Sequence, residues 1–468
     1  MVLFDSKRRA MKKITREVND FIHRSMDSHV RVAVTGLSRA GKTAFITSLV
    51  NQLLHTSTHD NMPLLSSARD KRLVGSKREP QSNMMVPRFA YDEAMEQLCN
   101  VPPMWPEPTR DVSEIRLAIK YRPKKKTKKL LGQTAILHLD IIDYPGEWLL
   151  DLPLLELDFA TWSQTQFDAL KGERLNLASE WLSQLDSLDL NAELNEKQLQ
   201  SISQAYTDYL HRCKEKGLHW VQPGRFVLPG ELAGAPVLQF FPCRFDDADK
   251  TGKHSNLAML KKRYQEYQQK VVKAFYKHHF STFDRQIVLV DCLQPLNAGR
   301  ESFYDMRDAL EQIMHSFRYG RSGLLKRLFA PKIDKVLFAA TKADHVTPEQ
   351  HPNLVALLQQ VIHPAWQTAA YENIEMGCLS MASVQATQAG FIANGDKSIP
   401  AIQGMTLEGQ ALTLFPGEVP RKVPDEHYWQ ERGFEFTAFR PMQGKREEPL
   451  PHIRVDKALE FLLGDKLL

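Results

Sequence analysis

The feature that most constrains this chain is a glycine-bounded loop, Gly36-Leu37-Ser38-Arg39-Ala40-Gly41-Lys42-Thr43. Residues 30–35 ahead of it read as a buried strand, and residues 44–50 behind it read as a helix. Backbone N–H groups can turn inward toward an anion only where side chains do not block them, and the helix that follows presents its positive end. The order strand, loop, helix therefore predicts a phosphate cradle built from Gly36, Ser38, Arg39, Ala40, Gly41, Lys42, Thr43 and Ala44. In such a cradle Lys42 neutralises β- and γ-phosphate oxygens and the Thr43 hydroxyl sits on Mg2+.

A second element must face the phosphates from the other side. Residues 138–142 form an apolar run ending in Asp143-Tyr144-Pro145-Gly146, an Asp-x-x-Gly pattern. This puts the Asp143 carboxylate near the metal and a flexible amide at Gly146 beside the γ-phosphate. A third element, Thr341-Lys342-Ala343-Asp344, follows the strand-like run 335–340 and resembles the Asn-Lys-x-Asp guanine-specificity motif of small and translational GTPases, with Thr for Asn. In that motif the Asp accepts two hydrogen bonds from guanine that adenine cannot offer, and the Lys stem lies over the base. Ser383 and Val384, in Ser380-Met381-Ala382-Ser383-Val384, stand where such proteins carry a loop whose backbone meets the guanine O6.

Between the loop helix and the strand at Val112 lies Met104-Trp105-Pro106-Glu107-Pro108-Thr109-Arg110-Asp111. Thr109 is the candidate to complete the Mg2+ shell, Arg110 to reach the phosphates as an arginine finger supplied in cis, and Trp105 to pack against the nucleotide. Where Ras-like enzymes have a Gln after Asp-x-x-Gly to orient the attacking water, this chain has Glu147. The catalytic candidates are therefore Lys42, Arg110, Gly146 and Glu147, and the metal candidates Thr43, Thr109 and Asp143.

The rest of the chain supplies context. At 468 residues it is too long for one ordinary core. Residues 7–26 read as a basic amphipathic helix, which either packs on the domain with a solvated face or lies on an anionic membrane. Residues 56–90 read as a long loop, and strands at 112–121 and 134–142 as a hairpin with a cationic tip at 122–129 that can meet phospholipid head groups or simply be solvated. Residues 151–284 form a helical insertion and 389–449 a small β-rich addition, dividing the core into 29–150, 285–388 and 450–468 beyond the first helix at 1–28. The net charge of +5 is too small to imply nucleic-acid binding, and five scattered cysteines without a CxxC pair argue against disulfides or a zinc knuckle. With no membrane-length apolar run or signal-peptide core, a cytoplasmic protein is expected, with peripheral contact at the inner membrane the alternative.

Taken together, GLSRAGKT, DYPGEW, the long helical segment and TKAD resemble the YcjX-like family of bacterial P-loop proteins over nearly the whole chain. The resemblance implies a Ras-like P-loop core of α/β class, a mostly parallel sheet with one antiparallel strand, carrying the insertion and the addition. It also implies GTP/GDP and Mg2+ as cofactors, hydrolysis of GTP and a link to bacterial stress response. On this reading the protein is a nucleotide-switched regulator whose insertion meets a protein partner. Two other classes stay open: an ATP-dependent P-loop kinase or ATPase, and an adaptor that binds nucleotide with negligible turnover.

Overall fold

The computed structural model describes residues 28–108, 111–124, 134–245, 252–316, 333–371, 374–394, 397–430 and 434–468. The basic helix, residues 125–129 of the hairpin tip, Thr109 and Arg110 lie outside the described residues.

Alternation along the buried strands builds the layers. In β1 (Ser28–Gly36), Val30, Val32 and Val34 pack on one side with α1 (Lys42–His55), α2 (Tyr91–Cys99) and the C-terminal helix Val455–Leu463. Ala33 and its neighbours Ile142, Val288, Val336 and Phe338 pack on the other side. Successive side chains of a strand point to opposite faces, so these apolar runs are buried on both sides, as a mostly parallel sheet requires.

Seven strands form that sheet. Besides β1 they are β2 (Leu73–Glu79), β3 (Ser113–Tyr121), β4 (Ala135–Asp143), β5 (Arg285–Val290), β6 (Lys335–Ala340) and β7 (Glu375–Ser380), in the spatial order β2-β3-β4-β1-β5-β6-β7. β3 pairs antiparallel with both neighbours, while β1 pairs in parallel with β4 and β5, and β6 with β5 and β7. The expected mixed α/β sheet with one reversed strand is present. The expected loop at 56–90 needs correction: it contains the helical turn Ser66–Arg69 and the edge strand β2. β2 reads Leu-Val-Gly-Ser-Lys-Arg-Glu and buries only Leu73, so the apolar alternation that marks a half-buried strand is missing from it.

Between β4 and β5 the chain leaves the sheet. A 3-10 segment, Gly146–Glu156, leads into α3 (Phe159–Asp168), α4 (Ser179–Asp186), α5 (Glu196–Glu215) and α6 (Asn256–Glu266). Each of α3, α5 and α6 begins on a polar side chain, Asp158, Asn195 or Ser255, that accepts a first-turn N–H. Aromatic pairs fill the space between them, with Trp162 stacked on Tyr264 at 5.2 Å and Trp181 on Tyr209 at 5.6 Å. Each such pair adds about 0.5–1.5 kcal/mol beyond its burial. The helices share one hydrophobic core with α7 (Arg300–Ser316) and α8 (His351–Tyr371) of the sheet layer. At the other end, β8 (Thr387–Asn394), β9 (Lys397–Met405) and β10 (Ala411–Leu414) form a separate antiparallel sheet. No helix among the described residues is long and apolar enough to cross a membrane.

One buried ion pair ties α7 to the helices after β4. Arg174 donates to Asp305 Oδ1 through Nε at 3.1 Å and Nη2 at 2.5 Å, and the backbone N–H of Trp220 reaches Asp305 Oδ2 at 2.9 Å. Asp305→Ala leaves a buried guanidinium and the backbone N–H groups of His219 and Trp220 without this acceptor. We expect a loss of about 3–5 kcal/mol, read as a lower midpoint in urea unfolding followed by tryptophan fluorescence.

Candidate functional site

Strand register positions the centre of the site. In the β1–β4 ladder Val34 lies opposite Asp143, so the phosphate loop leaves β1 two residues after the level at which β4 ends. Gly146 then folds back onto Gly36: a Cβ built on Gly146 would stand 2.4 Å from the Gly36 carbonyl oxygen, and one on Gly36 would stand 2.6 Å from Leu289 O. Both positions need glycine because backbones meet there. Gly41 adopts φ 85° as the N-cap of α1, a left-handed conformation that glycine takes without strain. Among the described residues no side chain caps α1, the arrangement in which a helix N-terminus can receive an anion. The Lys42 ammonium bends back across the loop to donate to the Gly36 carbonyl at 3.2 Å.

A cavity of about 370 Å3 opens from this loop along the carboxyl ends of the strands. Arg39, Ala40, Gly41, Lys42, Thr43 and Ala44 line one end of it, and Thr341, Lys342, Asp344, Ser383 and Val384 line the other, with Trp105 at the rim. Ligand crevices in open α/β sheets lie at these strand ends. Most of the residues expected from sequence thus share one cavity. Ser38 and Gly36 are not part of its lining; Gly36 is packed beneath Gly146. Asp143 is buried, 1% exposed, at the tip of β4.

The Thr-Lys-x-Asp segment is rigidly held. Thr341 donates to the Val290 carbonyl through its backbone N–H at 2.9 Å. Lys342 sits at φ 59° and its ammonium lies 2.6 Å from Asp291 Oδ2. Asp344 Oδ2 accepts the Ala386 N–H at 2.6 Å, and its Oδ1 lies 3.2 Å from His345 Nδ1. Burial pushes the Asp344 carboxyl up, but the adjacent His345 and the Ala386 N–H outweigh it and keep the group below its ordinary value. It is therefore an ionised acceptor.

Sequence reasoning missed one wall of the cavity. Leu407, Phe436, Ala438 and Phe439 from the C-terminal addition line it. Phe436 stacks on His345 at 5.0 Å with planes 7° apart and lies under the Lys342 ammonium at 4.9 Å, while Trp105 Nε1 donates to the Phe439 carbonyl at 2.8 Å. The only signal was the spacing Phe434-x-Phe436-x-x-Phe439 in an otherwise polar stretch, which says nothing about what the rings face.

Glu147 does not line the cavity. Its side chain is 4% exposed and ion-paired at 2.7 Å with Lys214 of α5. Burial pushes its carboxyl up, yet Lys214 and then Lys42 outweigh that and hold it below the usual range. Farther along the 3-10 segment, Asp151 accepts from Tyr267 Oη at 2.6 Å and from the N–H groups of Gly224 at 2.8 Å and Arg225 at 3.3 Å. Trp148 Nε1 donates to Leu228 O at 3.0 Å. The stretch after Gly146 is thus built into the helical insertion.

The sequence model of the YcjX-like family, DUF463, matches residues 30–467. This chain belongs to the YcjX-like family. Over 467 residues, 98% of this chain and 100% of the relative, it is 54% identical to the Ras-like GTPase YcjX of Escherichia coli (strain K12). Over 480 residues, 98% of this chain and 99% of the relative, it is 44% identical to the Ras-like GTPase YcjX of Shewanella oneidensis. The membership expected from the combined motifs is borne out, and the α/β core with its β-rich C-terminal sheet is this family member's fold.

Asp151 makes the clamp on this segment sensitive to pH. Burial pushes its carboxyl from 3.8 up to about 6, against the hydrogen bonds from Tyr267, Gly224 and Arg225. The native state therefore holds a proton that the unfolded chain has already lost between these values, and stability falls as pH rises through that window. Asp151→Asn should flatten the slope of unfolding free energy between about pH 4 and 6, measured by denaturant melts at a series of pH values; an unchanged slope would assign it to other groups.

Proposed function

We propose that this protein binds GTP with Mg2+ and hydrolyses it to GDP and phosphate, as a nucleotide-switched regulator. The observation that carries this reading is the single cavity joining the Arg39–Ala44 end, where N–H groups and Lys42 suit a triphosphate, to the Asp344 end, where an ionised carboxylate suits a guanine edge. Asp344 has acceptor capacity beyond its bond to Ala386, because each carboxylate oxygen accepts more than one hydrogen bond. Adenine has no N1–H and no 2-amino group to give it. Phe436 and the Lys342 stem supply apolar surface for a planar base beside that carboxylate. The names of the relatives point the same way.

The donors at the phosphate end fit a hard cation. Thr43 offers a hydroxyl at the start of α1 and Asp143 a carboxylate at the tip of β4, both oxygen ligands of the kind Mg2+ takes together with phosphate oxygens. When bound there, the ion would neutralise charge on the β- and γ-phosphates. Lys42 would add its own positive charge to the same oxygens, and the amides of the loop would orient them. The Gly146 backbone, resting on Gly36, is the element that a γ-phosphate would meet next. Because residues 146–156 are hydrogen-bonded into the insertion, displacement of Gly146 would be transmitted to those helices, from which a partner would read the nucleotide state. Thr109 and Arg110, outside the described residues, are proposed from their place in the sequence alone, Thr109 to act on the metal and Arg110 on the phosphates.

Calorimetric titration with GTP, GDP and ATP tests the base assignment. Wild-type protein should prefer the guanine nucleotides, Asp344→Ala should weaken them about 10- to 100-fold or more, and Phe436→Ala should weaken all three by about 2- to 10-fold without altering the preference. ATP binding as tight as GTP would overturn the guanine reading and favour an ATP-dependent enzyme. For the switch, hydrogen exchange across residues 100–170 should differ between GDP and a non-hydrolysable GTP analogue; identical protection would remove the regulator role.

A further inference from the structure

A Glu where Ras-like enzymes carry a neutral Gln poses an electrostatic problem, because a carboxylate beside the γ-phosphate repels it. The structure contains a solution. Lys214 stands in the last turn of α5, far from the P-loop in sequence, and its ammonium meets Glu147 Oε1 at 2.7 Å. The pair carries no net charge, so it presents to a triphosphate the same overall neutrality that a Gln would. Glu147 follows directly on Gly146, whose backbone rests on Gly36, and its carboxylate, although outside the lining of the cavity, feels the Lys42 ammonium of the loop. Its second oxygen, Oε2, is buried and has no hydrogen-bond partner among the described residues.

Stability alone does not account for such a pair, since the cost of desolvating two charges offsets most of their attraction. What the pair does fix is where the carboxylate points. The frame that brings Lys214 there is stiff: Gly224 lies so close that a Cβ on it would stand 2.0 Å from the Glu147 carbonyl oxygen, and Gly224 N–H is bonded to Asp151 four residues further on.

We propose that Lys214 is a positioning residue for hydrolysis: it neutralises Glu147 and holds that carboxylate so that Oε2 accepts a hydrogen bond from the water attacking the γ-phosphorus. This rests on the GTPase reading above. In that step the water oxygen bonds to phosphorus while the bond from phosphorus to the β–γ bridging oxygen breaks, and its electron pair leaves with GDP. The water's proton ends on the released phosphate, because a carboxylate kept ionised by two nearby ammonium groups, Lys214 and Lys42, is a weak base. Glu147 therefore orients the water and does not keep its proton. The helical insertion, through Lys214, becomes part of the hydrolytic site.

Single-turnover phosphate release with protein in excess, alongside GTP affinity by titration, tests this. Lys214→Met should slow hydrolysis roughly 10- to 100-fold while GTP affinity stays within about twofold. Lys214→Arg should recover most of the rate, since a guanidinium can hold the same carboxylate. The double variant Glu147→Gln with Lys214→Met should run faster than Lys214→Met alone, because a neutral amide needs no counter-ion. A wild-type rate in Lys214→Met, or a double variant no faster than Lys214→Met, overturns the proposal while leaving the GTPase reading intact. Parallel losses of rate, affinity and thermal midpoint in every variant also overturn it, by making the pair structural. Wild-type protein that binds GTP but never releases phosphate overturns the reading beneath it and the proposal together.

Discussion

Where two parallel strands end side by side, the backbones leaving them either diverge or lie in contact, and beside the phosphate loop they lie in contact. Gly146 approaches Gly36 so closely that it tolerates no Cβ, and Gly36 is closed in on its other side by Leu289 of β5. The contact follows from the β1–β4 register, which sets Asp143 level with Val34 and brings the next turn of chain over the mouth of the loop. Thr43, Lys42, Asp143 and Glu147 owe their common neighbourhood to it. A side chain at Gly146 would push the two backbones apart and separate the loop from the segment that follows β4, while one at Gly36 would collide with β5.

From that contact the insertion gains its hold. Residues 146–156 are mostly buried, and their polar groups are answered by the insertion: Asp151 by Tyr267 and Gly224, Trp148 by Leu228, Glu147 by Lys214. A loop of this kind on a bare α/β core would be solvated and free to move by itself. Here it is packed against a set of helices that share one apolar core with α7 and α8, so any local displacement would have to be accommodated by packed elements. The C-terminal addition does the corresponding work at the other end of the cavity, where Phe436 stacks on His345 beneath Lys342 and Phe439 takes the Trp105 indole N–H on its carbonyl.

Much of this was legible in the order of residues because it rests on local chemistry. Gly36 to Thr43 between an apolar strand and a helix, Asp143 to Gly146 at the end of another, and Lys342 and Asp344 after a third are short patterns whose meaning depends only on the strand preceding them. Most of the sheet followed from apolar runs long enough to be buried on both faces, which is why β1, β3, β4 and β6 fall within a residue or two of the expected limits. β2 escaped notice because an exposed edge strand carries almost no apolar signal.

What the sequence by itself determined is the class of the core, its family and the strand ends at which chemistry is sited, since these follow from periodicity and from glycine, lysine and aspartate at set local spacings. What only the tertiary structure decided is which distant residues stand against the candidate site and the segment beside it. Lys214 and Phe436 lie 67 residues after Glu147 in one case and 92 residues after Asp344 in the other, separations readable from their positions in the chain. No local pattern links a lysine in the last turn of a helix to a carboxylate in another element, or a phenylalanine in a polar stretch to a cavity wall. Those contacts arise from how the insertion and the addition pack on the sheet, and packing is a property of the whole fold that no short window of sequence contains.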